Sequence, residues 1–105
     1  MEQPTLETVK QIAGGDLVFE HKLIEIIKWE LPLELVEYQE HLASNAFAKA
    51  ALIVHKLKHK ISILHMHKSY KLAERYEDEL REGKATLKED FEDVINGMIS
   101  FVNQL

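Results

Sequence analysis

Apolar residues recur at helical spacing along almost the whole chain, and no run shows the two-residue alternation of a half-buried strand. The clearest stripe is Ala50, Val54, Leu57, Ile61 and Leu64, with spacings of 4, 3, 4 and 3. It predicts a helix with one face in a core, and Asn45 stands where that helix can be capped. Upstream, Asp16 can cap a long segment whose apolar positions are Phe19, Leu23, Ile26, Ile27, Leu35, Tyr38 and Leu42. Pro32 interrupts it and predicts a kink or short break near Leu31, because proline removes one helical hydrogen bond and disfavours helix at the residue before it. A short first helix, capped by Thr5, is predicted to stop at Gly14 and Gly15. A fourth segment carries Met66, Ala73, Tyr76 and Leu80 and ends before Gly83. Thr86 with Glu89 three residues on forms a capping-box pattern. The last helix then runs through Leu87, Phe91, Val94, Met98, Phe101 and Leu105.

Four substantial amphipathic helices joined by short loops predict an all-α fold. The expected architecture is an antiparallel four-helix bundle with a short extra N-terminal helix, filling residues 1–105 as one domain. The last helix reaches the end of the sequence, so no attached effector domain is expected. Balanced amphipathic faces suggest a monomer.

Composition narrows the choice of function. The 105 residues are 46% hydrophobic and 30% charged, which fits a globular protein with a modest core. A formal charge of −5 speaks against nucleic acid as the main partner, since no excess of cations exists to neutralise phosphates. No apolar run approaches the roughly 20 residues of a membrane span. The N-terminal "MEQPTLETVK" has neither the basic region nor the apolar core of a secretory signal. Cysteine is absent, so thiolate metal sites and disulfides are excluded. A cytoplasmic protein is expected, with no membrane and no nucleic acid among its partners.

The unusual stretch is "VHKLKHKISILHMHK", residues 54 to 68, which holds His55, His59, His65 and His67 among four lysines. A helix turns about 100° per residue, so His55 lies roughly 140° from the centre of the core stripe and His59 about opposite it. Ala48, Ala51 and Leu52 share the outward side one turn earlier, and Lys58 and then Ser62 follow one turn later. The result is an outward histidine in a patch of small and apolar side chains with a lysine beside it. Such a surface suits docking. A neutral imidazole is a good nucleophile near neutral pH, and a lysine one turn away can balance the charge of an accepted phosphoryl group.

Other readings stand beside this one. The histidines can be incidental features of a solvated face. His55 and His59, four apart, can share a metal ion, but the helix offers no carboxylate one turn away on that face and the chain has no inward Glu-x-x-His motif. No metal site is therefore expected. His65 and His67 fall near a helix junction and are expected to meet only solvent, and His21 and His41 show no partner pattern.

The segment "VHKLKHKISILHM" resembles the signature of histidine-containing phosphotransfer domains, in which His-x-Leu-Lys-Gly precedes a hydrophobic stretch that often holds a second glycine. The likeness extends over "GGDLVFEHKLIEIIKWELPLELVEYQEHLASNAFAKAALIVHKLK" and "SYKLAERYEDELREGK", which look like that family's flanking helices. His55 matches the phospho-accepting histidine, Leu57 a core position, and Lys58 the lysine near the phosphoryl group. His59 and His65 depart from the pattern, standing where the family commonly has glycine. A bulky residue at position 59 is expected to narrow the approach to His55. The resemblance implies a phosphorelay intermediate that takes a phosphoryl group from a receiver-domain aspartyl phosphate and passes it to another response-regulator receiver, with a hybrid histidine kinase upstream. It implies docking over Ala48, Ala51, Leu52, His59 and Ser62. It also implies no cofactor of its own, the Mg²⁺ belonging to the receiver. No Gly-rich phosphate loop occurs, so the chain is read as a carrier without an ATP site. A non-catalytic helical adaptor and a histidine-based metal-binding bundle remain the rival readings.

Overall fold

The computed structural model describes residues 2–105, and these form five α-helices and no strand. They are α1 (Glu7–Ala13), α2 (Leu17–Ala43), α3 (Phe47–Ile63), α4 (His67–Arg81) and α5 (Lys88–Asn103). α2 packs against α3 and α5, α4 packs against the same two helices, and α1 lies on α2. No helix among the described residues is long and apolar enough to cross a membrane.

The shared core follows the predicted stripes. Ala50, Val54, Leu57, Ile61 and Leu64 are fully buried, as are Tyr76 and Leu80 of α4 and Phe91, Ile95 and Met98 of α5. Tyr38, Tyr76 and Phe91 bring three helices together, with ring centroids 5.0 to 6.1 Å apart. Both tyrosines are fully buried, so each hydroxyl needs a partner. They hydrogen-bond each other, and the Tyr38 hydroxyl donates to Glu92 Oε2 at 3.0 Å.

Several local expectations change. α2 runs unbroken through Pro32. Proline inside a helix costs about 3 kcal/mol. Here Leu31 and Leu35 are buried on either side of it, and Glu34 is held by Lys60, so packing outweighs the local preference. Pro32 itself is exposed, which keeps its ring out of the core. Phe19 and Ile26 are exposed rather than in the core. α2 carries two apolar stripes, and only the one through Ile27, Leu31, Leu35 and Tyr38 faces inward.

Asn45 does not cap α3. It has φ of 58° and ends α2 in the left-handed conformation, with the Ala46 amide donating to His41 O at 2.8 Å. Thr86 does not build a capping box either, because Leu87 occupies the cap position of α5. The Thr86 hydroxyl and the Leu87 amide both donate to the Glu79 carboxylate, which serves the turn from α4. Thr5 stands one residue outside the cap of α1, and its hydroxyl accepts from the Glu7 amide at 3.4 Å. Met66 is buried but precedes α4, and Leu105 lies exposed beyond α5.

Candidate functional site

The stripe that buries Val54, Leu57 and Ile61 turns His55 outward near the middle of α3, with its side chain 49% exposed. The ring is not free to rotate. Its Nδ1 lies 3.2 and 3.3 Å from the two carboxylate oxygens of Glu77 on α4. Lys58, one turn after His55 on the same flank, places its Nζ 3.1 Å from Glu77 Oε1, and Arg81 donates to Oε2 at 2.9 Å. Lys58 also sits 5.5 Å from the centre of the Tyr70 ring and is only 11% exposed. It is therefore an anchored cation rather than a loose surface lysine.

Glu77 organises this cluster. Its side chain is 10% exposed, and burial by itself would raise its pKa. The hydrogen bonds from Arg81, Lys58 and His55 outweigh that effect and hold the carboxyl below its ordinary value. Glu77 is thus ionised at neutral pH, and an ionised carboxylate can only accept. The proton of a neutral His55 ring is then placed on Nδ1, and Nε2 keeps its lone pair. Nε2 has no hydrogen-bond partner among the described residues. One carboxylate against two cations leaves a net positive charge beside the ring.

Glu77 is absent from the sequence reading. Its spacing of four from Arg81, on the edge of the α4 core stripe beside Ala73, is the one signal that was available. That it meets a histidine 22 positions earlier depends on how α3 and α4 pack.

The outward patch is close to the predicted one, with one correction. Ala48, Leu52, His59 and Ser62 are exposed, but Ala51 is fully buried. His55 and Lys58 lie on the flank of α3 that meets Glu77 of α4, and Ala51 falls on the same side of the helix by its spacing. His59 stands edge-on to His55 with ring centroids 4.9 Å apart, so it borders the His55 ring directly. Among the described residues no group of three or more histidines and carboxylates is arranged to hold a metal ion.

The other histidines also have surroundings. His65 does not simply meet solvent, since its Nδ1 lies 3.0 Å from the Thr8 hydroxyl and its Nε2 3.4 Å from Glu7. His67 stands against His65 with centroids 4.6 Å apart. His21 and His41 each face a carboxylate one turn away, Glu25 and Glu37, at 3.9 Å. On the opposite flank of α3, Lys60 is nearly buried and reaches Glu30 at 2.9 Å and Glu34 at 3.0 Å on α2. No family model matches the chain, and no curated protein or solved structure matches it.

Proposed function

We propose that this chain is a phosphorelay intermediate of the histidine-containing phosphotransfer kind, with His55 as the phosphoryl acceptor. The observation that carries the reading is the half-exposed His55 ring with Nδ1 on the ionised Glu77 and Nε2 unpartnered. In this reading α2 to α5 form an antiparallel four-helix bundle with α1 as a short extra helix.

The chemistry asks little of the chain. A receiver's aspartyl phosphate approaches Nε2 across the Ala48, Leu52, His59 and Ser62 surface. The Nε2 lone pair forms the N–P bond while the P–O bond to the aspartyl carboxyl breaks, and the electron pair leaves with that carboxylate. The Nδ1 proton stays in place, and Glu77 stabilises the positive charge that develops on the ring. Lys58 and Arg81 offset the negative charge brought near Glu77. Mg²⁺ carried by the receiver would offset the phosphoryl charge, so positioning is this chain's main contribution. Return transfer to a second receiver reverses the step.

The test is incubation with a phosphorylated receiver domain, followed by mass spectrometry of the intact chain and of its peptides. Acid-labile phosphate on the peptide containing His55 is expected. His55→Gln should accept none while its circular dichroism stays helical. Acceptance by that variant at the wild-type level would sink the reading.

A further inference from the structure

α2 carries a second apolar stripe that stands largely exposed. Phe19, Ile26, Trp29, Leu33 and Val36 are all about half exposed or more, Trp29 reaching 72%. Their spacings of 7, 3, 4 and 3 place them on one face, about opposite the core residues Ile27, Leu31 and Leu35. These are the a and d positions of a heptad repeat. Lys22, between Phe19 and Ile26, and Glu40, beyond Val36, occupy further positions of the same seam, both exposed and neither ion-paired among the described residues.

From this we propose that α2 pairs antiparallel with α2 of a second copy of the chain. The argument for a second copy is self-complementarity. In an antiparallel pair each a position meets a partner's d position. Pairing symmetric about residue 31 sets Ile26 on the partner's Val36, Trp29 on the partner's Leu33, and Lys22 on the partner's Glu40. Every layer then recurs in mirror order on the other half. A parallel pair instead sets Lys22 on Lys22 and Glu40 on Glu40, which like-charge repulsion disfavours. Along the rim, Glu30 is held by Lys60 of its own chain.

The seam leaves the proposed phosphoryl site open, because His55 leans toward α4 whereas α2 lies on the Lys60 flank of α3. The inference therefore stands whether or not His55 accepts phosphate. It also departs from the monomer that balanced amphipathic faces suggested in the sequence, where Trp29, Leu33 and Val36 were not weighed.

Trp29 is the only tryptophan, so its emission reports on the seam. Sedimentation velocity and Trp29 emission are followed over a dilution series of the full chain. The expected result is a dimer that dissociates on dilution, with emission moving to longer wavelength as it does. Trp29→Glu should be monomeric where the wild type is dimeric. Lys22→Glu and Glu40→Lys should each weaken association by about tenfold, and the double reversal should restore it. All three positions are exposed, and circular dichroism checks that each variant folds. A wild type that stays monomeric to about 1 mM overturns the proposal. So does a dimer indifferent to Trp29→Glu, or a double reversal no better than either single one. If Trp29→Glu does not fold, the charge reversals decide.

Discussion

His55 and Lys58 meet only through Glu77, so that carboxylate determines what both can do. Two substitutions separate its roles. Glu77→Gln keeps an oxygen that accepts from Nδ1–H but removes the charge. Glu77→Ala removes both and leaves Lys58, nearly buried, without its anion. We expect Glu77→Gln to slow transfer from a phosphorylated receiver by about tenfold, and Glu77→Ala by about a hundredfold. The alanine variant should also lose about 2 kcal/mol in urea unfolding. A wild-type transfer rate in Glu77→Ala would remove Glu77 from the site. The outward facing of His55 was legible in the sequence, because a single helix's periodicity decides which way it points. Glu77 was not, because its contact with His55 joins two helices. Ala51 was misplaced as well: the helical wheel turns it outward, but the fold buries it fully.

Helix ends show which local signals the chain obeys. α2, α3 and α4 each stop with one left-handed residue, Asn45, His65 and Gly83, at φ of 58°, 63° and 79°. In each case the next amide reaches back to the last turn: Ala46 to His41, Met66 to Ile61 and Lys84 to Glu79. Glycine is favoured in that conformation because it has no Cβ. Position 65, where the resembled family commonly has glycine, is therefore a helix stop, and His65 offsets the left-handed cost through Thr8 and Glu7. His65→Ala keeps the strain and loses both contacts, so it should destabilise by about 1–2 kcal/mol. His65→Gly relieves the strain and should fall well short of that loss. Thermal melts of the two variants test this, and equal losses would show that strain at position 65 is unimportant. Of these stops only Gly83 was legible. Asn45 was read as the start of the next helix because asparagine serves both ends. The starts were harder still. α4 is capped by Glu2, which accepts from the Lys68 and Ser69 amides at 3.1 and 2.8 Å, and the turn into α5 is served by Glu79. Both carboxylates come from elsewhere in the fold, and no local spacing reveals them. α2 was legible as a helix but not in its facing, since two opposed apolar stripes give no single core side.

Across the whole molecule two different sets of groups set opposite pH limits. Glu2 and Glu77 are both held below the ordinary carboxylate value: burial works against this, and the hydrogen bonds they accept outweigh it. A carboxyl with a depressed folded pKa contributes stability that is present above its unfolded value and is lost as pH falls through the folded one. The acid limb of the stability curve should therefore begin below about pH 4.5. At the alkaline end the Tyr38–Tyr76 pair acts in the other direction. Burial is the largest cause at both hydroxyls. At Tyr76 the bond to Tyr38 opposes it, the charges of Glu92 and Glu79 add to it, and the pKa is pushed up to about 12. Tyr38 is driven higher still, with Tyr76 and Glu92 reinforcing burial. An unfolded tyrosine ionises near pH 10, so between there and the folded value only the unfolded chain gives up its proton. The stability held below pH 10 is then lost at about 1.4 kcal/mol per pH unit for each tyrosine still protonated in the fold. Tyr76→Phe keeps the ring contacts with Tyr38 and Phe91 and removes one such proton. It should lower stability at pH 7 by about 1 kcal/mol, through the lost hydrogen bond, yet flatten the fall above pH 10. Urea unfolding at pH 7, 10 and 11 measures both effects. An alkaline slope in Tyr76→Phe as steep as in the wild type would show that this buried hydroxyl pair does not set the upper limit.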